Sequence, residues 1–147
     1  MKNHEISYLI EQGILSIKSH SLNADAAYKV FKFRKFINAA MLSIGEAERG
    51  LLDEVGIKDV REFDTRRAKL VEAGDTEGIQ EMNAQMASFI KLKNELMMDE
   101  QKYDGPKLTW EEWKTLQDEN QAIEVNGKKI DALSGPVELL LEGNLWE

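Results

Sequence analysis

Apolar residues recur at alternating steps of three and four along residues 24–55, and this rhythm limits the possible folds more than any other feature of the sequence. Its members are Val30, Phe33, Ile37, Ala40, Ile44, Ala47 and Leu51. Steps of three and four place side chains on one face of an α-helix, as at the a and d positions of a coiled coil. Asn23 suits the N-cap, and Gly56 suits the position after the C-terminus. The pattern therefore predicts one helix of about 48 Å over residues 24–55.

A second long helix follows the same rhythm after Thr76. Its apolar positions are Ile79, Met82, Met86, Phe89, Leu96 and Tyr103. The dipeptide Gly105-Pro106 is a strong stop signal, which sets the predicted end near residue 104. The intervening residues 57–73 have a sparser apolar face and predict a connector helix. Because this connection is compact, we expect the two long helices to pair as an antiparallel hairpin.

Local signals define smaller elements on both sides of this hairpin. Near the N-terminus, apolar residues at helical spacing predict a helix over residues 5–17, with a weak point at Gly13. After the hairpin, Thr109 and Glu112 form a capping box, in which each side chain accepts a hydrogen bond from the other residue's backbone N–H. This signal predicts a helix over residues 110–121.

The hydrophobic period changes to that of a β-strand after this helix. Asn126-Gly127 between two short runs is typical of a type I′ turn, since both residues tolerate positive φ. The turn predicts a hairpin in which Ile123 faces Ile130. Further on, Pro136 suits the first position of a helix and Gly143 the position after its end, so we expect a short terminal helix.

The composition excludes several classes of chemistry. The 147 residues include no Cys, so the chain has no disulfide, no cysteine zinc site and no thiol nucleophile. The two histidines, His4 and His20, have no metal-ligand neighbours at helical spacing. No phosphate-binding glycine loop and no nucleophile elbow occur. We therefore expect a protein that is not an enzyme and that uses no metal or cofactor.

The net charge of −8 is unevenly distributed along the chain. Residues 1–74 carry 12 basic and 11 acidic side chains, whereas residues 75–147 carry 7 and 16. This excess of acidic residues argues against nucleic acid as a partner. No signal-peptide core opens the sequence, and no run approaches about 18 apolar residues, so we expect a cytoplasmic protein with no membrane contact.

A basic and aromatic segment at the start of the first long helix is one candidate site. Lys29, Lys32 and Lys35 lie on overlapping helical turns and are interleaved with Phe31 and Phe33. Lysine charges beside aromatic rings can bind phosphate groups or an acidic partner. The same residues can instead form a solvated flank whose stems cover the packed rings. They can also pair with the acidic C-terminal half, within the chain or across an oligomer.

A second candidate site is a partner interface, rich in acidic residues and tryptophan, in the C-terminal part of the chain. Its residues are Trp110, Glu111, Glu112, Asp118, Glu119 and Trp146. Tryptophan is enriched at the centre of protein interfaces, and clustered carboxylates suit a basic partner surface. If Trp146 is exposed, it can anchor a partner; if it is buried, it ties the tail to the core.

The order of elements resembles that of a known group of proteins. Phe33, Lys35 and Ile37 lie in the first long helix, and Asn94, Glu95 and Leu96 in the second. With the connector and the small C-terminal tail, this layout resembles the small acidic helical proteins of unknown function that tailed bacteriophages encode in their structural-gene regions. The resemblance covers residues 24–121. It implies a virion-assembly or structural accessory role inside a bacterial cell, and it brings no catalytic residue with it.

Together these patterns predict a mainly α single domain over residues 1–147. A long antiparallel helical hairpin with its connector helix forms a core over residues 24–104. A helix, a small β-hairpin and a short terminal helix follow over residues 108–147. We expect a non-enzymatic protein–protein interaction protein that binds a protein partner or forms a homo-oligomer. The alternatives are an acidic inhibitor of a host defence or nucleic-acid-binding enzyme, and a binder of a small anionic ligand.

Overall fold

Six α-helices and one two-stranded antiparallel sheet form the computed structural model, which describes residues 1–147. A 3₁₀ turn at Ile14–Ser16 follows the first helix. The elements are α1 (Asn3–Glu11), α2 (Ala24–Glu54), α3 (Val60–Ala73), α4 (Thr76–Met98), α5 (Trp110–Glu119), β1 (Ile123–Val125), β2 (Lys128–Ile130) and α6 (Pro136–Leu141). The predicted fold class is confirmed: the chain is mainly helical, with a small β-hairpin and a short terminal helix near the C-terminus.

The chain folds as two compact units. The terminal unit combines residues 1–42 with residues 100–147, and the middle unit consists of residues 43–99. Helix α2 contributes residues to both units.

The terminal unit buries the first half of the apolar rhythm in α2. The side chains of Val30, Phe33 and Ile37 are all fully buried. Other fully buried side chains come from the N-terminal segment, α5, the segment before α6, α6 itself and the C-terminal tail; they include Ile6, Leu9, Ile14, Trp113, Leu116, Leu133, Leu141 and Leu145. One apolar core therefore joins elements from the two ends of the sequence.

The middle unit packs the end of α2 with α3 and α4. Its core consists of the buried side chains Ile57, Phe63, Met82 and Phe89, with Leu51, Leu52, Val55, Leu70 and Met86 packed against them. The Gln85 amide donates to the carbonyl oxygen of Val55 at 3.2 Å, and Lys93 Nζ lies 3.1 Å from Glu48 Oε1. Gln85 contacts Val55, just after the end of α2, whereas Lys93, which is later in α4, contacts Glu48, which is earlier in α2. The two helices therefore run antiparallel here, as predicted.

The ends of two helices were predicted incorrectly. The N-terminal helix ends at Glu11 rather than at residue 17, because Gly13 adopts the left-handed conformation with φ of 88°. Helix α4 ends at Met98, before residue 104. Beyond it, Glu100 forms an isolated bridge with Lys2, which diverts the backbone from helical hydrogen bonding.

The β-hairpin has the predicted register. Ile123 pairs with Ile130, Glu124 with Lys129, and Val125 with Lys128. The turn residues Asn126 and Gly127 have φ of 53° and 78°, as a type I′ turn requires. Gly13 lies against this hairpin, since a Cβ at residue 13 would lie 2.7 Å from Val125 Cγ2. The bend after α1 and the hairpin therefore pack without room for a side chain between them.

Replacing Gly13 with alanine should destabilise the terminal unit by about 1–3 kcal/mol, because the methyl group meets Val125 and a positive φ strains any L-residue. Gly45→Ala is the matched control. Gly45 lies inside α2 with open space around its Cα, so the same change should be neutral or stabilise by up to about 1 kcal/mol. Urea unfolding, monitored by tryptophan fluorescence, reports on the terminal unit, because this unit contains all three tryptophans. A Gly13→Ala protein as stable as the wild type would contradict this packing.

Candidate functional site

Lys29 and Glu112, which the sequence assigned to two different candidate sites, form one ion pair. Lys29 Nζ lies 3.0 Å from Glu112 Oε1 and 3.7 Å from Asp25 Oδ2. The Lys29 and Glu112 side chains are only 18% and 17% exposed. The pairing of the basic segment with the acidic C-terminal half within the chain is therefore observed at Lys29.

The capping box at the start of α5 positions Glu112 for this contact. The backbone N–H of Thr109 donates to Glu112 Oε1 at 2.9 Å, and the N–H of Glu112 donates to Thr109 Oγ1 at 3.2 Å. Lys29 Nζ donates to that same Oε1 atom. One carboxylate thus caps a helix and holds a lysine from α2.

The environment of this pair keeps both groups charged at neutral pH. The hydrogen bond from the Thr109 N–H lowers the pKa of Glu112, and the hydrogen bond from Lys29 lowers it further. The hydrogen bond to Glu112 raises the pKa of Lys29, against the opposing effect of partial burial. The two charges neutralise each other, so neither is free to attract an external ligand.

The other acidic residues of the predicted partner interface divide into two kinds. Glu119 accepts hydrogen bonds from the backbone N–H groups of His20 and Ser21, at 2.8 and 3.0 Å. It therefore holds the loop before α2. Glu111 and Asp118 are exposed, and they lie seven residues apart on the same side of α5. Only these two of the four carboxylates point to solvent without an ion pair or a structural backbone contact.

The two tryptophans of the same predicted interface also differ in their surroundings. Trp146 is 8% exposed, and its ring stacks on Trp113 with centroids 5.3 Å apart and an interplanar angle of 11°. The backbone beside it is fixed by the Leu108 N–H, which donates to the Leu145 carbonyl at 2.7 Å. Trp146 therefore ties the tail to the core. Trp110 is 51% exposed, and its ring contacts Trp146 at a centroid distance of 5.2 Å.

The remaining lysines of the basic segment belong to an exposed face of α2. We call Tyr28, Phe31, Lys32 and Lys35 the aromatic–basic face, since their spacing places them on one side of the helix. Tyr28 is 52% exposed and Phe31 is 58% exposed, and their rings stack with centroids 6.4 Å apart. Lys32 Nζ lies 5.6 Å from the centroid of the Tyr28 ring. Leu42, which is also exposed, extends this side of the helix toward its middle.

The sequence pattern indicated Lys32, Lys35 and Phe31 as site residues but did not include Tyr28. Tyr28 could have been found from its helical spacing to Phe31 and Lys32, which places all three on the side of α2 opposite the buried apolar residues. Phe33 of this segment and the neighbouring Arg34 have structural contacts. The Phe33 ring is buried against Tyr103 at 5.1 Å, and the Arg34 guanidinium donates to the Leu15 carbonyl at 3.0 Å.

The chain offers no metal site and no membrane span among its helices. No three histidine or carboxylate side chains come together in a way that could hold a metal ion. None of the helices combines the length and the apolar character needed to cross a bilayer. Comparisons with protein-family models, curated proteins and solved structures found no match for this chain.

The Lys29–Glu112 pair should contribute about 1 kcal/mol of coupling energy, at the upper end for partly exposed pairs, because both side chains are largely covered. A double-mutant cycle with Lys29→Met and Glu112→Gln measures it; glutamine keeps the capping-box acceptor and removes only the charge. Lys29→Met combined with Glu111→Gln is the control, for which we expect no coupling. A coupling energy of zero in the first cycle would rule out a stabilising pair.

The pH dependence of this coupling has a defined sign. The pKa of Glu112 is lowered in the folded chain, so its stabilisation is complete above the unfolded value of about 4.3 and is lost as the pH falls through the folded value. The pKa of Lys29 is raised, so its contribution is complete below about 10.4 and is lost as the pH rises through the folded value. Repeating the cycle across pH checks both limits.

Trp146→Ala should reduce the free energy of unfolding by about 3–5 kcal/mol, since it removes a buried ring and leaves a cavity against Trp113. Trp110→Ala, at a half-exposed ring beside it, should cost only about 1 kcal/mol. Chemical unfolding followed by far-UV circular dichroism compares the two variants. Equal losses for both would mean that the tail is not held by the buried ring.

Proposed function

We propose that this chain is a non-enzymatic protein-binding protein, and that it binds a protein partner through the aromatic–basic face of α2. The observation that carries the proposal is the exposure of Tyr28 and Phe31, two adjacent aromatic rings that are each more than half accessible to solvent. Exposed aromatic rings on one helix face favour association, because a partner that covers them removes apolar surface from contact with water.

The arrangement of this face suits a helix that docks into a groove. Anchor residues at i, i+3, i+4 and i+7 are typical of an amphipathic helix that binds a partner surface, and Tyr28, Phe31, Lys32 and Lys35 have this spacing. Tyrosine is enriched among the residues that contribute most to binding energy. The two lysines add a positive charge at the rim, which favours a partner with carboxylates around an apolar surface.

The same geometry gives less support to the two alternatives. A small anionic ligand is normally bound in a concave pocket, whereas the aromatic–basic face is the convex side of one helix. An acidic inhibitor needs free carboxylates at its interface, and Glu112 and Glu119 are already engaged within the chain. The net charge of −8 also opposes binding to nucleic acid.

The resemblance to small helical proteins of tailed bacteriophages extends this proposal. On that basis the chain acts inside a bacterial host cell, in virion assembly or as a structural accessory component. Its partner is then a protein component of the assembly, and the aromatic–basic face is the surface that the partner covers.

The test compares protein capture by three forms of the full-length chain in its native cell. The double variant Tyr28→Ser with Phe31→Ser should lose about 30-fold or more in affinity for the captured partner, which corresponds to about 2 kcal/mol for a central anchor. Leu139→Ser is the matched control, because Leu139 is an apolar side chain that is 71% exposed on a different helix, α6. Quantitative mass spectrometry, followed by titration with the identified protein, measures the loss. Undiminished binding by the double variant would contradict the proposal.

A further inference from the structure

A groove runs along the middle unit between the end of α2 and α4. It consists of two adjoining depressions of about 300 and 440 Å³, which share Leu92. Apolar side chains form its floor, with Leu51 from α2 and Val55 just after the end of α2 facing Leu92 from α4. These three side chains are only partly buried, so the apolar floor is accessible along the groove.

The rim of this groove is acidic toward both of its ends. Its charged residues are Glu54, Glu81, Glu95 and Asp99, all of which are exposed. No basic residue lines either depression. Lys93 lies nearby on α4, but its charge is paired with Glu48 at 3.1 Å. The groove therefore combines an apolar floor with an unneutralised negative rim.

The dimensions of the groove suit a helix. Between Glu81 and Leu96 the lining positions of α4 follow helical spacing, so they share one side of the helix over about 23 Å. An antiparallel helix pair with an open apolar seam accepts a third helix that lays its own apolar face into the seam. The matching helix should carry apolar anchors at helical spacing and positive charges at the edge.

We infer that a second copy of this chain fills the groove with its aromatic–basic face. That face presents Tyr28 and Phe31 as anchors and Lys32 and Lys35 as positive charges, and with Leu42 it extends over about 21 Å of helix. The lysines are opposite in charge to the rim, and the rings match the apolar floor. This inference rests on the proposed function, since it identifies the protein partner as another copy of the chain.

Such a contact joins two different surfaces, one from the terminal unit of the first copy and one from the middle unit of the second. A contact of this kind is heterologous, because its two surfaces differ: after two copies have joined, one copy keeps a free groove and the other keeps a free aromatic–basic face. The assembly therefore either closes into a ring or continues to grow. We expect the average mass to rise with protein concentration rather than to stop at a dimer formed through identical surfaces.

The test uses charge reversal on each surface of the full-length chain. One variant carries Lys32→Glu and Lys35→Glu, and the other carries Glu95→Lys and Asp99→Lys. Sedimentation velocity over a concentration series should show self-association of the wild type that weakens as salt is raised. Each variant alone should associate at least tenfold more weakly. The equimolar mixture should recover association, because each reversed surface meets an oppositely charged one on the other variant.

A control variant with Lys69→Glu and Lys128→Glu has the same change in net charge at two exposed lysines, one on α3 and one on β2, that belong to neither surface. It should self-associate like the wild type. Recovery in the mixture also shows that both variants are folded, so a loss in each alone cannot be ascribed to unfolding.

Different failures of this experiment have different meanings. A wild type that stays monomeric throughout the series overturns the inference. The proposed function still stands in that case if the wild type captures a different protein and the Tyr28→Ser, Phe31→Ser variant does not. Association that requires the lysines but not Glu95 and Asp99 overturns the groove as the acceptor. Failure of the aromatic variant to change either self-association or partner capture overturns both.

Discussion

The side chain of Asn120 determines how the terminal unit is held together. It is fully buried, and its amide oxygen accepts a hydrogen bond from the Lys18 N–H at 2.7 Å. Its amide nitrogen donates to the carbonyl oxygens of Lys18 and Leu116, at 2.8 and 2.7 Å. Its own backbone carbonyl accepts from the Ala132 N–H at 3.1 Å. Because a buried amide without partners is costly, these bonds fix the segment before α2, the end of α5 and the segment before α6 together.

The positions set by this network explain why the charged residues divide as they do. With the start of α2 held beside α5, Lys29 meets Glu112 and the loop at His20 meets Glu119. Those carboxylates are then committed to the fold. The side of α2 that faces away from this contact keeps Lys32 and Lys35 exposed with two aromatic rings. The aromatic–basic face therefore remains available for binding, because its residues are not used in the contacts that hold the terminal unit together.

The parts of this fold that the sequence predicted are those with local determinants. Asn23 caps α2, and the capping box at Thr109 starts α5, because each signal acts within a few residues. The end of α4 could not be predicted, since it depends on Glu100 pairing with Lys2 from the other end of the chain. The site shows the same limit. Helical spacing indicated the basic segment, but nothing near Lys29 shows that Glu112, 83 residues away, neutralises it.

The way the two units share the sequence also has a consequence for synthesis of the chain. The middle unit is one continuous stretch, residues 43–99, so its helices can pair through contacts that are close in sequence and form quickly. The terminal unit needs residues 100–147 before its core can close. While those residues are still being made, Val30, Phe33 and Ile37 have no core to enter. The emerging N-terminal segment therefore carries exposed apolar surface until residues 100–147 have been made, and during that interval it is most open to aggregation or chaperone binding.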